Sequence, residues 1–198
     1  MRVKICGITN YEDAKMCCDA GADALGFVFY KNSPRFIGGR DAREIIKKLP
    51  PFITKVALFV NFTPTQINET MKFLKADIAQ LHFDVDDEFV SKLNCKYLRV
   101  IRAKNKNDIE KFADEYKLVD AYVKEYGGSG KRVALEWFEN RDNSKTILAG
   151  GLTPENVFEV GRYGFYGVDV SSGVEKYPGK KDKKKVRKFI EVAKYGLR

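Results

Sequence analysis

The sequence holds a single histidine, His82, among 198 residues, and only four cysteines, Cys6, Cys17, Cys18 and Cys95. No two cysteines show the CxxC spacing of a zinc site, and the adjacent Cys17 and Cys18 suit neither a tetrahedral metal nor an easy disulfide. A structural metal is therefore not expected, and reduced thiols in a reducing compartment are. No apolar run approaches the roughly 20 residues of a membrane span, and no leader pattern opens the chain. No low-complexity stretch or linker divides it, and no dinucleotide fingerprint occurs. These absences predict one cytoplasmic domain over residues 1–198, with no membrane partner.

Positive charge, by contrast, is abundant. Lysine and arginine total 36 against 27 acidic residues, for a net charge of +9, much of it in "KYPGKKDKKKVRKF" near the C-terminus. Such a balance favours anionic partners, whereas lysines on one helix face are also what a solvated surface looks like. A nucleic-acid-binding module would leave the glycine loops unexplained, and the chain has no recognition-helix or RNA-binding motif. Nucleic acid is not an expected partner.

Apolar strand-like runs alternate with capped amphipathic stretches along the chain. "RVKICGI" precedes "TNYEDAKMCCDAG", where Thr9 or Asn10 can cap and Gly21 can end a helix. "ADALGFVFY" precedes "GRDAREIIKKLP", and "TKVALFVNF" precedes "TPTQINETMKFLK", with Pro64 fit for a first helical turn. "ADIAQLHF", "KYLRVIRA", "LVDAYVKEY", "KTILAGG" and "GFYGVDVSSG" begin five more such units, the last running into the basic final helix. The strands are apolar along most of their length, as when both faces are covered. Eight such units in one domain predict an α/β fold, a (β/α)₈ barrel with tight loops.

In that architecture functional groups gather at the C-terminal ends of the strands. Those positions hold Cys6, Arg35 in "KNSPRFI", Gln80 and His82, Asp120, the loop Gly127-Gly128-Ser129-Gly130, Gly150-Gly151, and Asp169 with Ser171, Ser172 and Gly173. The glycines and the "LTPEN" helix start let backbone N–H groups approach an anion, and loops after strands seven and eight are a recurrent phosphate site. Arg35 is either a surface cation or a two-pronged clamp for a carboxylate. His82 is either a satisfied core histidine or a ligand, and Cys6 either a small core residue or a working thiol. Asp120 lies in an apolar strand, where burial would raise its pKa towards neutrality. A thiol, a carboxyl group, an arginine and a phosphate cradle suit acid–base chemistry on a small anionic phosphate ester.

Seven stretches, "KICGIT", "GFVFYKNSPRFI", "VALFVN", "QLH", "YGGSGK", "AGGLTPENV" and "VDVSSGVEKYPGKKD", together resemble the phosphoribosylanthranilate isomerase family of tryptophan biosynthesis, in the right order from Lys4 to Asp182. The resemblance implies a barrel that catalyses the Amadori rearrangement of N-(5-phosphoribosyl)anthranilate without metal or organic cofactor, as a monomer or homodimer. It implies Cys6 as general base, Asp120 as general acid, Arg35 as holder of the anthranilate carboxylate, and His82 and Asp169 near the substrate. Gly150, Gly151, Ser172 and Gly173 match the phosphate site. Phe83 stands where the family often has glycine after "QLH", and "RVALEW" is slightly longer than the family's usual segment. Other phosphate-binding barrels fit less well: the isomerase of histidine biosynthesis tends to have an aspartate where strand one here ends in Cys6, and ribulose-phosphate epimerase expects metal ligands.

Overall fold

The computed structural model describes residues 1–121 and 132–196. Eight parallel strands close into a barrel in sequence order: β1 (Arg2–Cys6), β2 (Ala24–Val28), β3 (Thr54–Phe59), β4 (Ile78–Leu81), β5 (Lys96–Ala103), β6 (Lys117–Ala121), β7 (Thr146–Leu148) and β8 (Gly167–Val170). β1 pairs with both β2 and β8, so the first and last barrel strands form the closing seam. A small hairpin, β9 (Glu175–Tyr177) and β10 (Lys180–Lys181), follows β8. The glycine loop Gly127–Gly130 lies outside the described residues.

Side chains alternate across each strand. One set, with Val3, Ile5, Phe27, Phe59, Leu81, Ile101, Val119 and Val168, packs outward against the surrounding helices and turns in the main core. The other set fills the barrel itself. Leu98, Val100, Leu118 and Ala149 form a lower apolar plug, and Cys6, Val28, Leu58 and Val60 an upper one. Above and between them the inner face turns polar, with Lys4, Gln80, His82 and Asp169 all buried.

The outer layer is uneven. α1 (Tyr11–Asp19) is capped by Asn10, and α3 (Pro64–Leu74) carries a full capping box between Thr63 and Gln66. α2 (Gly39–Ile46) and α5 (Lys183–Tyr195) are amphipathic, and α5 buries Val186, Phe189, Ile190 and Val192 while its lysines face outward. α4 (Asp87–Ser91) is short. After β5, β6 and β7 the expected helices contract to 3₁₀ turns at Lys106–Glu110, Leu135–Phe138 and Val157–Tyr163. After β5 the reason is local. Phe112 takes a positive φ of 53°, which no helix continues. The buried Lys117 ammonium then claims the carbonyls of Ile109 and Lys111 at 2.9 and 2.5 Å. After β7, Gly161 and the β-branched Val157 and Val160 weaken the α-helical alternative. Among the described residues no helix is long and apolar enough to cross a membrane.

Candidate active site

Lys4 and Cys6 are two residues apart on β1 and so share its inner face. Their neighbour on β2 is Gly26. A Cβ there would lie 2.7 Å from Cys6 Sγ and 3.1 Å from Lys4 Cε, so the missing side chain is what lets both groups occupy the barrel interior. Across the seam, Lys4 is in register with Asp169, and Lys4 Nζ donates to Asp169 Oδ2 at 2.7 Å. The other oxygen, Asp169 Oδ1, is buried with no hydrogen-bond partner among the described residues. Burial pushes the Cys6 thiol up; Lys4 and Lys181 pull it down, and Asp169 adds to the rise.

Asp120 stands near the end of β6 and keeps 24% of its side-chain surface exposed. The Ala121 N–H donates to its Oδ1 at 2.8 Å. Its Oδ2 faces His82 Nε2 at 3.8 Å. Burial, helped by the charge of Asp169, pushes the carboxyl up to about 6; the Ala121 amide, Arg102 and Lys4 oppose that rise. Burial, together with the cations Arg102 and Lys4, pushes His82 down to about 3, so its ring is neutral at pH 7. Gln80 Nε2 lies 3.5 Å from His82 Nδ1.

Arg35 follows β2, and its stem crosses over Gly7 beside Ser171. It is buried, and its fork is taken by a protein group: Nε and Nη2 donate to the two carboxylate oxygens of Glu175 at 2.9 and 2.7 Å. Nη1 is left without an acceptor among the described residues. Glu175 also accepts from Lys181 Nζ at 2.9 Å, and these hydrogen bonds hold its carboxylate below the usual range against the opposing effect of burial. Lys181 in turn points at the carbonyl and hydroxyl of Ser171, whose Oγ donates to the Cys6 carbonyl at 3.1 Å.

Gly150 and Gly151 take φ of 85° and 61° and turn the chain at the end of β7. Gly173 packs so closely against the next residue of that loop that a Cβ would run into the Leu152 carbonyl. The glycine loops after β7 and β8 therefore form one half-buried rim. Asn156 fixes the first loop through Gly151 O at 2.9 Å and the Thr153 N–H at 2.8 Å. Among the described residues no cluster of three or more histidine, cysteine or acidic side chains could hold a metal.

The fold thus brings Cys6, His82, Asp120 and Asp169 to one barrel mouth, with Arg35 and the two glycine loops on its rim. Sequence reasoning passed over Lys4, Glu175 and Lys181. The first had a visible signal, since a lysine two residues before Cys6 in an apolar strand must share its face. The family model for N-(5'-phosphoribosyl)anthranilate (PRA) isomerase matches residues 3–192. The chain belongs to the N-(5'-phosphoribosyl)anthranilate isomerase family. A curated family member from a Nitratiruptor species is 62% identical over 195 residues, covering 98% of this chain and 100% of the relative. The crystal structure of the Thermotoga maritima phosphoribosyl anthranilate isomerase superposes with a TM-score of 0.92 at 40% identity, covering 100% of both chains. A family structure solved with reduced 1-(o-carboxyphenylamino)-1-deoxyribulose 5-phosphate superposes with a TM-score of 0.84 at 38% identity, again over 100% of both chains.

Proposed function

We propose that the protein isomerises N-(5'-phosphoribosyl)anthranilate to 1-(2-carboxyphenylamino)-1-deoxyribulose 5-phosphate in tryptophan biosynthesis, with Asp120 as acid and Cys6 as base. The observation that carries this reading is the pair itself. One mouth holds a carboxyl group whose pKa is raised to about 6 and a thiol at the exit of β1. The carboxyl is shifted towards the working pH, which marks an acid–base site, whereas burial moves the thiol the other way and leaves neighbouring cations to oppose that rise.

The Ala121 N–H occupies Oδ1, so Oδ2 is the oxygen that carries the proton of neutral Asp120. It donates to the furanose ring oxygen, the C1′–O bond breaks, and the anilino nitrogen lone pair forms a protonated Schiff base. The Cys6 thiolate removes the C2′ proton, and the electrons of that bond neutralise the iminium as an enolamine. Tautomerisation moves the C2′ hydroxyl proton away and places one on C1′, leaving the ketone. Asp120 ends as carboxylate and Cys6 as thiol, and exchange with solvent restores both. His82, neutral at pH 7, offers a hydrogen bond without adding charge beside the acid. The rim of Gly150, Gly151, Ser172 and Gly173 receives the phosphate through backbone amides. Arg35, with Nη1 left over from Glu175, meets the anthranilate carboxylate as a single donor rather than a fork. Four free cysteines suit a reaction in the reducing cytoplasm.

The test is a fluorescence assay. Phosphoribosylanthranilate is generated in place by an anthranilate phosphoribosyltransferase from anthranilate and phosphoribosyl pyrophosphate, and its loss is followed on adding protein. Rapid loss with the wild type and little with Cys6→Ala is expected. Near-normal turnover by Cys6→Ala would remove the base assignment, and no loss with folded wild type would remove the reaction.

A further inference from the structure

We propose that Lys4 is the positioning residue of the base: its ammonium, anchored on Asp169, holds the Cys6 sulfur at the barrel mouth and stabilises it as the thiolate. The inference rests on the reading of Cys6 as the proton acceptor.

A lysine inside a barrel is costly unless paired. Lys4 is 6% exposed, and a well-packed apolar residue at such a site is commonly neutral or favourable for stability. The adjoining inner positions show that alternative, since they are filled by Val28, Leu58 and Val60. Stability therefore does not call for an ammonium here. What the ammonium does have is a fixed place. Asp169 Oδ2 holds it at 2.7 Å, and the open space above Gly26 brings its terminal methylene and Cys6 Sγ to the same point, 3.1 and 2.7 Å from where a Cβ would stand. An ammonium has three N–H donors. Asp169 takes one, and the charge of the anchored ammonium favours the ionised form of the Cys6 thiol.

Among the described residues, the other charged groups near Cys6 sit on β8, on β10, after β2 and across the mouth. On β8, Asp169 opposes the thiolate. On β10, Lys181 favours it, but its ammonium is bound to Glu175 at 2.9 Å. After β2, Arg35 passes over Gly7 with its fork on the same Glu175. β2 itself contributes Gly26 and Val28, neither charged. Across the mouth, Asp120 and neutral His82 belong to the acid. Among the described residues Lys4 is the cation whose stem shares the space above Gly26 with the sulfur, and it opposes, without cancelling, the burial that drives the thiol up. When C2′ gives up its proton, the S–H bond that forms removes the negative charge from sulfur and with it the attraction of the Lys4 ammonium. Lys4 thus favours the enzyme form that starts the step.

The experiment uses the full chain carrying 13Cβ-labelled cysteine, the Cys6 resonance being assigned by its loss in Cys6→Ala, and follows the Cβ shift with pH in the absence of substrate. Lys4→Met is expected to raise the pH at which Cys6 ionises by about one unit or more, and to lower kcat/KM at pH 7 by about tenfold or more. Should Lys4→Met fail to fold around an unpaired Asp169, Lys4→Met/Asp169→Asn is compared with Asp169→Asn, and the same upward shift is expected between those two. Cys6 titrating at one pH with and without Lys4 in both backgrounds would overturn the proposal, whatever the loss of activity. Full turnover by Cys6→Ala would instead overturn the base reading beneath it, independently of the titration.

Discussion

Arg35 and Glu175 lie 140 residues apart in the chain and are joined by two parallel hydrogen bonds, 2.9 and 2.7 Å, inside the rim of the barrel. The pair ties the loop after β2 to the hairpin after β8, and Lys181 completes it as a triad around one carboxylate. Glu175→Gln leaves two buried cations facing a neutral amide. Breaking a buried pair in this way costs about 3–5 kcal/mol. The variant is expected to melt at lower temperature and to show a KM raised about tenfold with a smaller change in kcat, because the Arg35 fork loses its anchor. Thermal unfolding and steady-state kinetics read both.

Asp120→Asn keeps the shape and the Ala121 N–H bond but has no acidic proton. Turnover should fall by about 10²–10⁴-fold with little change in substrate affinity, the signature of an interaction made only in the transition state. Single-turnover kinetics beside equilibrium binding of a product analogue separates the two. A pure affinity loss would take Asp120 out of the acid role.

The same substitution changes stability in a pH-dependent way. The Asp120 carboxyl is raised from 3.8 to about 6 in the folded protein. As pH rises between those values the unfolded chain gives up its proton first, so folding is penalised, and the penalty persists above 6. Asp120→Asn should therefore be more stable than wild type at pH 8, by at most about 3 kcal/mol, with the difference vanishing below about pH 4. Urea unfolding at several pH values measures it.

His82 titrates in the opposite sense. Its pKa drops from 6.5 to about 3 on folding, so below 6.5 the unfolded chain takes up a proton that the native ring refuses. Stability from this residue is complete above 6.5 and drains away as pH falls towards 3. By pH 4 the loss amounts to about 3 kcal/mol. His82→Gln should flatten the acid limb of the stability curve, and an unchanged limb would place the acid sensitivity elsewhere.

Gly173→Ala drives a methyl group into the Leu152 carbonyl and must separate the two glycine loops. Backbone cannot yield as a flexible side chain would. The expected result is a stability loss of about 1–3 kcal/mol, as for other overpacked sites, with a KM raised severalfold. Inorganic phosphate should also weaken as a competitive inhibitor. Inhibition by phosphate at wild-type strength would move the phosphate site off this rim.

Much of this is legible in residue order. Periodicity and signals such as the Thr9 or Asn10 cap and Pro64 locate the eight strands and the firm helices, because those signals are local. The rule that barrel chemistry sits at strand ends brings out Cys6, Asp120 and Asp169 together. What stays hidden is non-local or rests on a single residue. The segment after β5 looks amphipathic, yet the left-handed Phe112 and the carbonyl-seeking Lys117 collapse it to a 3₁₀ turn. Arg35 looks like a free clamp in the sequence because its partner, Glu175, meets it only when the barrel closes. Alternation alone puts Lys4 on the face of Cys6, but the room it finds there and the carboxylate that holds it come from Gly26 and Asp169 on other strands.

The seam between β1 and β8 has a consequence for when the enzyme comes into being. Lys4 leaves the ribosome 165 residues ahead of Asp169, its partner across the seam. A nascent chain with seven strands has a thiol and an ammonium but no carboxylate to fix them and no finished phosphate rim. Activity should thus arise in one step, with the docking of the eighth strand, and any truncation that removes that strand leaves no partial catalyst behind.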